Sequence, residues 1–216
     1  MNLGSEDIAL SNNNAMLREL NSNSKLVVNE VYLDGKLIKA DCVDEEEKSF
    51  GIFMHSLVLS NYAEVIKINN REVDVIGDEY EKAIFHYAAS KGFDKNLIET
   101  IAPKVNELTF EYDNSLKVST HIINEKLRIV SKGTPEELLK RCSHILMDSK
   151  FVKVTRKLYN EVNLVLKDML DRCTTVYAIA LKDISSISKV LTKDKYINHM
   201  TLVGLVGMTK TQKIYC

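Results

Sequence analysis

The tetrapeptide Leu33-Asp34-Gly35-Lys36 limits the fold more than any other stretch of the chain, because it lies between the β-branched run Lys25–Tyr32 and the apolar pair Leu37-Ile38. Asp-Gly accepts the positive φ that a two-residue reversal demands, so the flanking runs pair antiparallel. The same device recurs at Asn124-Glu125, which separates the alternating segments Lys117–Ile123 and Lys126–Ser131. Leu108–Tyr112, Thr174–Leu181 and Thr201–Val206 read as further strands. Strands joined by short turns build a sheet without crossover helices, which excludes a regular βαβ repeat.

Helical periodicity fills the intervals. The acidic run from Asp44 reads as the solvated start of a helix through Leu59, its carboxylates suiting the positive end of the dipole. Gly77–Ser90 carries Ala83, Ile84, Tyr87 and Ala88 at helical spacing and is stopped by Gly92. Asp94–Ala102, Thr134–Cys142 and Thr155–Arg172 follow, the last with the stripe Leu158, Val162, Leu166 and Leu170. The resulting class is α+β, one antiparallel β-sheet flanked by helices. Residues 1–24, rich in Asn and Ser turn formers, read as a poorly ordered N-terminal segment, 25–208 as the domain and 209–216 as a C-terminal tail.

Composition removes several function classes. The 216 residues carry 29 Lys+Arg against 30 Asp+Glu, a net charge of −1, without the basic excess expected of a nucleic-acid binder. No apolar run approaches the roughly 20 residues of a membrane-spanning helix, and the first ten residues lack the pattern of a secretory leader. Cys42, Cys142, Cys173 and Cys216 form no C-x-x-C pair, the pattern of reduced thiols in a cytosolic protein. His55, His86, His121, His144 and His199 show no ligand spacing, so each is expected as a surface or satisfied core residue, with no metal site and no catalytic grouping.

The sharpest local feature is Ile129–Glu137. A strand ends at Ser131, and Lys132-Gly133 forms a corner with its lysine facing the surface. Thr134 then caps a helix with Pro135 at its first position and Glu137 completing a capping box. A lysine beside unpaired helix N–H groups makes an anion site, and a well-capped helix with a surface lysine is the plainer alternative.

Here the chain resembles the nucleotide-binding domain of P-type cation-transporting ATPases. Lys132-Gly133-Thr134-Pro135-Glu136 is similar to that family's K-G-A-P-E motif, and Gly77-Asp78-Glu79-Tyr80-Glu81 to its G-D-P-T-E segment. Phe110, Asp113, Lys117 and Ser119 follow a loose version of F-x-S-x-R-K-x-M-S, with a longer interval from the aromatic residue to the lysine. Val176–Ala180 resembles the R-V-L-A-x-A strand, and Leu205–Met208 the strand that leads out of the domain. The resemblance implies a cytoplasmic domain that binds the adenosine of ATP. Phe110 would stack on adenine, Glu81 would accept a hydrogen bond from its amino group, and Lys132 would line the adenine pocket and lean toward the phosphates, with Lys117 and Gly133 as further nucleotide-binding residues. Magnesium would arrive only with the nucleotide. The partners implied are the phosphorylation and membrane domains of a parent pump.

The chain also departs from the family pattern. It has no D-K-T-G-T phosphorylation motif, so the resemblance implies no phosphoenzyme and no hydrolysis by this chain alone, and no residue is assigned a catalytic role. Tyr80 stands where the family has Thr, Thr175 where it has Arg, and Tyr112-Asp113-Asn114 lacks a basic residue near the phosphates. Weak affinity and poor discrimination of ATP from ADP are expected. Two functions stay open: a nucleotide-binding module, and a scaffold that keeps the fold without the ligand.

Overall fold

A computed structural model of the chain describes residues 24–68, 71–108, 116–186 and 196–212. The Asp-Gly hairpin forms as expected: β1 (Ser24–Leu33) reverses into β2 (Lys36–Lys39) through Asp34 at φ 55° and Gly35 at φ 78°. β3 (Glu64–Ile68) and β4 (Arg71–Ile76) form a separate two-stranded sheet. β5 (Lys104–Leu108), β6 (Leu116–Ile123), β7 (Lys126–Gly133), β8 (Cys142–Met147), β9 (Lys150–Lys153), β10 (Thr175–Ile184) and β11 (Met200–Gln212) join β1 and β2 in a nine-stranded sheet. Its order is β2-β1-β11-β10-β7-β6-β5, with the β8–β9 hairpin joined to β11. All pairings are antiparallel except β8 with β11.

Strand residues alternate between two cores, as pleat geometry requires. Val130, Ile179, Leu181 and Val206 face one side, where α1 (Lys48–Leu59), α2 (Glu79–Ser90) and α3 (Lys95–Ile101) contribute Phe50, Phe53, Met54, Ile84 and Ile98. Ile129, Ala178, Ala180 and Leu205 face the other, covered by α4 (Pro135–Leu139) and α5 (Arg156–Arg172). Gly204 permits the close approach of α1. A Cβ there would lie 2.6 Å from the Tyr32 carbonyl oxygen and 2.8 Å from the Phe53 ring.

Several expectations need correction. The acidic residues at 44–47 precede α1, whose first turn holds none. The Thr134 helix ends at Leu139, because Cys142 enters β8 and pairs with Met200 on β11. Thr134 makes no side-chain cap bond, so the capping box does not form. On α5 the buried stripe is Leu158, Val162, Leu166 and Met169, while Leu170 is exposed. β5 starts at Lys104, ahead of the strand expected at Leu108–Tyr112, of which all but Leu108 lies outside the described residues. β11 runs through Thr209–Gln212, which pair with β1. The Asn124-Glu125 turn does form, with both residues at positive φ.

Candidate functional site

Gly77-Asp78 sets the entrance to α2. Gly77, at φ 150°, passes Ala63 so closely that a Cβ would sit 3.3 Å from the Ala63 Cα. Asp78 then caps the helix, its Oδ1 accepting from the Glu81 N–H at 2.8 Å. Glu81 occupies the position from which a capping-box glutamate would reach back. Its carboxylate instead turns toward the sheet and is 4% exposed.

Two lysines meet it there. Lys117 on β6 and Lys132 on β7 are directly paired across the strands, so both side chains leave the same face. The Lys132 ammonium donates to Glu81 Oε1 at 2.7 Å and Oε2 at 2.6 Å. The Lys117 ammonium donates to Oε1 at 2.9 Å. The backbone N–H of Tyr62 donates to Oε2 at 3.0 Å. Asn61 fastens the same loop to α2 by donating from Nδ2 to the Glu81 carbonyl at 2.9 Å.

The rings complete the site. Lys132 lies 5.9 Å from the centroid of Tyr177, and Lys117 lies 4.8 Å from that of Tyr62, both within cation–π range. Tyr80 packs edge-on against Tyr177 at 6.1 Å. Thus Tyr80, one of the departures from the family pattern, flanks the ion cluster.

Charge balance follows from the donor count. Burial pushes the Glu81 carboxyl upward, but the two ammoniums and the Tyr62 N–H outweigh it and hold the group below the ordinary carboxylate range. Lys132 faces one carboxylate and a like charge on Lys117. Burial therefore pushes its ammonium down to about 8.

The structure thus brings together Glu81, Lys117 and Lys132 from separate elements, Glu81 lying 36 and 51 residues from the two lysines. Gly133 is the last residue of β7, flanked by Leu116 and Ala178, and is no corner. Phe110 lies outside the described residues. One expectation fails: Lys132 is 3% exposed rather than surface-facing. The one-turn helix after it forms no anion site with its ammonium, which is committed to Glu81. Tyr62 and Asn61 went unnoticed in the sequence, since no motif marks the segment between α1 and β3.

Other candidate groups are quiet. His121 has Nδ1 at 3.0 Å from the Ala102 carbonyl and Nε2 at 2.9 Å from Ser119 Oγ, the arrangement of a satisfied core histidine. Burial pushes the Cys142 and Cys173 thiols up to about 12, which keeps them unreactive. Among the described residues, no group of three or more His, Cys, Asp or Glu side chains is placed to hold a metal ion. No described helix is long and apolar enough to cross a membrane. A cleft of about 540 Å³, lined in part by Tyr62, Lys95, Lys104 and Ser119, adjoins the cluster through Tyr62.

Known proteins are similar over much of this length. The chain is 26% identical to calcium-transporting ATPase 1 of Bacillus cereus over 206 residues, which are 95% of this chain and 22% of that protein. It is 23% identical to calcium-transporting ATPase 1 of Lactococcus lactis, over 95% of this chain and 22% of that protein. It is 29% identical to sodium/potassium-transporting ATPase subunit alpha-A of Artemia franciscana, over 58% of this chain and 14% of that protein. The chain therefore spans about a fifth of the length of the first of these relatives. The family model described as P-type ATPase, cytoplasmic domain N, matches residues 50–213, and with most of its length inside that match the chain belongs to the P-type ATPase N-domain family.

Proposed function

We propose that this chain binds the adenosine of ATP as the nucleotide-binding domain of a cation-transporting P-type ATPase. In that setting it presents the γ-phosphate to an aspartate on a separate phosphorylation domain, and magnesium comes with the nucleotide. Its place is the cytosolic face of the pump. The contribution of this domain is positioning rather than bond making.

The observation that carries the reading is the buried Glu81 carboxylate held by Lys132 and Lys117. A domain that needed only stability would gain as much from apolar residues, because desolvating two charges offsets most of their attraction. A carboxylate beside tyrosine rings suits a flat base with an amino donor, and the partly exposed Lys117 ammonium suits phosphate oxygens. Adenine carries that amino group where guanine carries a carbonyl oxygen, which a carboxylate repels. Glu81, Lys117, Lys132 and Gly133 would form the described part of the site, and Phe110 would supply stacking.

An amide NMR titration of the chain with ATP, ADP and GTP tests this. The expected result is shifts clustered at Glu81, Lys117, Lys132 and Gly133, larger for ATP and ADP than for GTP. No shifts with nucleotide at about 1 mM, a concentration matching only about 4 kcal/mol of binding, would assign the chain to the scaffold reading.

A further inference from the structure

The Glu81 carboxylate has no acceptor site to spare. Each carboxylate oxygen offers about two lone-pair positions. Oε1 takes Lys132 and Lys117, and Oε2 takes Lys132 and the Tyr62 N–H. A ligand that donates a hydrogen bond to Glu81 must first displace one of these donors.

The candidates differ in how firmly they are held. The Tyr62 N–H belongs to a loop that Asn61 fastens to α2. Lys132 makes two short bonds, and its side chain is 3% exposed on a strand flanked by β6 and β10. Lys117 makes one bond and its side chain is 40% exposed. Its ammonium, which already lies 4.8 Å from the Tyr62 ring while it bonds Glu81, has water within reach if released. Displacing either other donor would leave a buried donor unsatisfied, which costs far more.

We propose that Lys117 is an exchangeable latch on Glu81: the amino group of the base replaces the Lys117 ammonium on Oε1, and the freed ammonium moves to the phosphates of the same nucleotide. This rests on the nucleotide-binding reading and adds a selectivity to it. A neutral nucleoside must open the latch and offers Lys117 nothing in return. A nucleotide gives the displaced cation a new anionic partner, so base recognition and phosphate recognition become coupled through one side chain.

The test is calorimetric titration of adenosine and ATP into the wild type, Lys117→Met and Lys117→Arg. Met removes the latch at similar length. Adenosine should then bind about threefold tighter, the effect of losing a partly exposed ion pair. ATP should bind about tenfold weaker, the effect of losing a charge-assisted phosphate contact. Arg keeps a cation over Glu81 and should leave adenosine affinity near that of the wild type. A purely structural role for Lys117 would lower both affinities together.

The wild type supplies a second readout that needs no variant to fold. Raising ionic strength from about 0.05 to about 0.5 M screens the exposed ion pair. Adenosine affinity should rise while ATP affinity falls. If the wild type binds both ligands, but adenosine affinity stays constant or falls in both Lys117→Met and high salt, the latch is wrong and the nucleotide site stands. If no protein in the series binds either ligand, the nucleotide reading fails and takes the latch with it.

Discussion

Among the described residues two glutamates, Glu30 and Glu81, are buried against this sheet, and they are held in opposite ways. Glu81, 4% exposed, is paired with a lysine that is itself 3% exposed. Glu30, 5% exposed, sits at the irregularity in the β1–β11 pairing and accepts from Arg172 at 3.1 and 3.2 Å. Arg172 lies at the end of α5 with its side chain 45% exposed, and it also bonds Asp168 at 2.5 Å. Beneath it, Gly207 makes room for the neighbouring Cys173: a Cβ there would lie 2.6 Å from the Cys173 sulfur. Glu30 therefore ties the end of a helix to a strand with a cation that stays at the water boundary. Glu81 strips both members of its pair of solvent and lines up a second cation beside them. The first arrangement is a fastening. The second concentrates charge where a fold gains little from it, as expected of a site built for a ligand.

The largest effect should come from breaking the Glu81 pair on one side. Lys132→Met leaves a buried carboxylate without its main partner, at a cost of about 3–5 kcal/mol. For a chain of this size that is a fall of roughly 10 °C in melting temperature. Neutralising the partner as well, in Glu81→Gln with Lys132→Met, should recover much of the loss, because Gln still accepts from the Tyr62 N–H and no buried charge remains. The double variant should nevertheless bind no nucleotide. Denaturant melts of the three proteins check the first half, and the ATP titration checks the second. If Lys132→Met melts with the wild type, the pair is not desolvated as described.

A smaller effect is expected at Glu30. Glu30→Ala removes one acceptor of Arg172 and that of the Cys173 thiol, and should lower stability by less than Lys132→Met does, since Arg172 keeps Asp168 and can return to water. ATP titration shifts at Lys132 and Lys117 should be unchanged. A loss of nucleotide response in Glu30→Ala would erase the contrast between the two glutamates.

The contrast also explains what the sequence could and could not reveal. The Asp34-Gly35 hairpin, α2 and α5 were legible because their signals are local: a turn dipeptide, an apolar period, and the stop at Gly92. The β3–β4 hairpin was not, because exposed Ile66 and Ile76 give it no clear apolar face. The β8–β9 hairpin was hidden because Cys142 and His144 are drawn into pairing with Met200 and Thr201, far along the chain. That tertiary pairing overrode the helical pattern at Thr134–Cys142. Glu81 and Lys117 were found only through their motifs, and Lys132 also through its place between a strand and a helix start. The burial of Glu81 and Lys132 was illegible, since a lysine reads as surface until a carboxylate 51 residues away is folded over it. Tyr62 enters through its backbone N–H, which no side-chain pattern can announce.

The smallest effect lies in the pH dependence of stability, and its two arms have opposite causes. Glu81 has a folded pKa below its ordinary value of 4.5. Its contribution is therefore fully present above that value and is lost as pH falls through the folded pKa. Lys132 has a folded pKa of about 8 against an ordinary 10.5. Between these values the unfolded chain holds a proton that the folded chain has released, so stability rises with pH across that window. This gain does not conflict with the loss expected in Lys132→Met, because the deprotonated amine is spared the desolvation of its charge yet still donates a hydrogen bond to Glu81, which methionine cannot. Chemical denaturation of the wild type should thus show, relative to Glu81→Gln with Lys132→Met, a steeper loss below pH 4.5 and a relative gain between pH 8 and 10.5. Parallel profiles for the two proteins would mean that neither group titrates differently in the folded state, and that the Glu81 cluster is as solvated as the Arg172 end of α5.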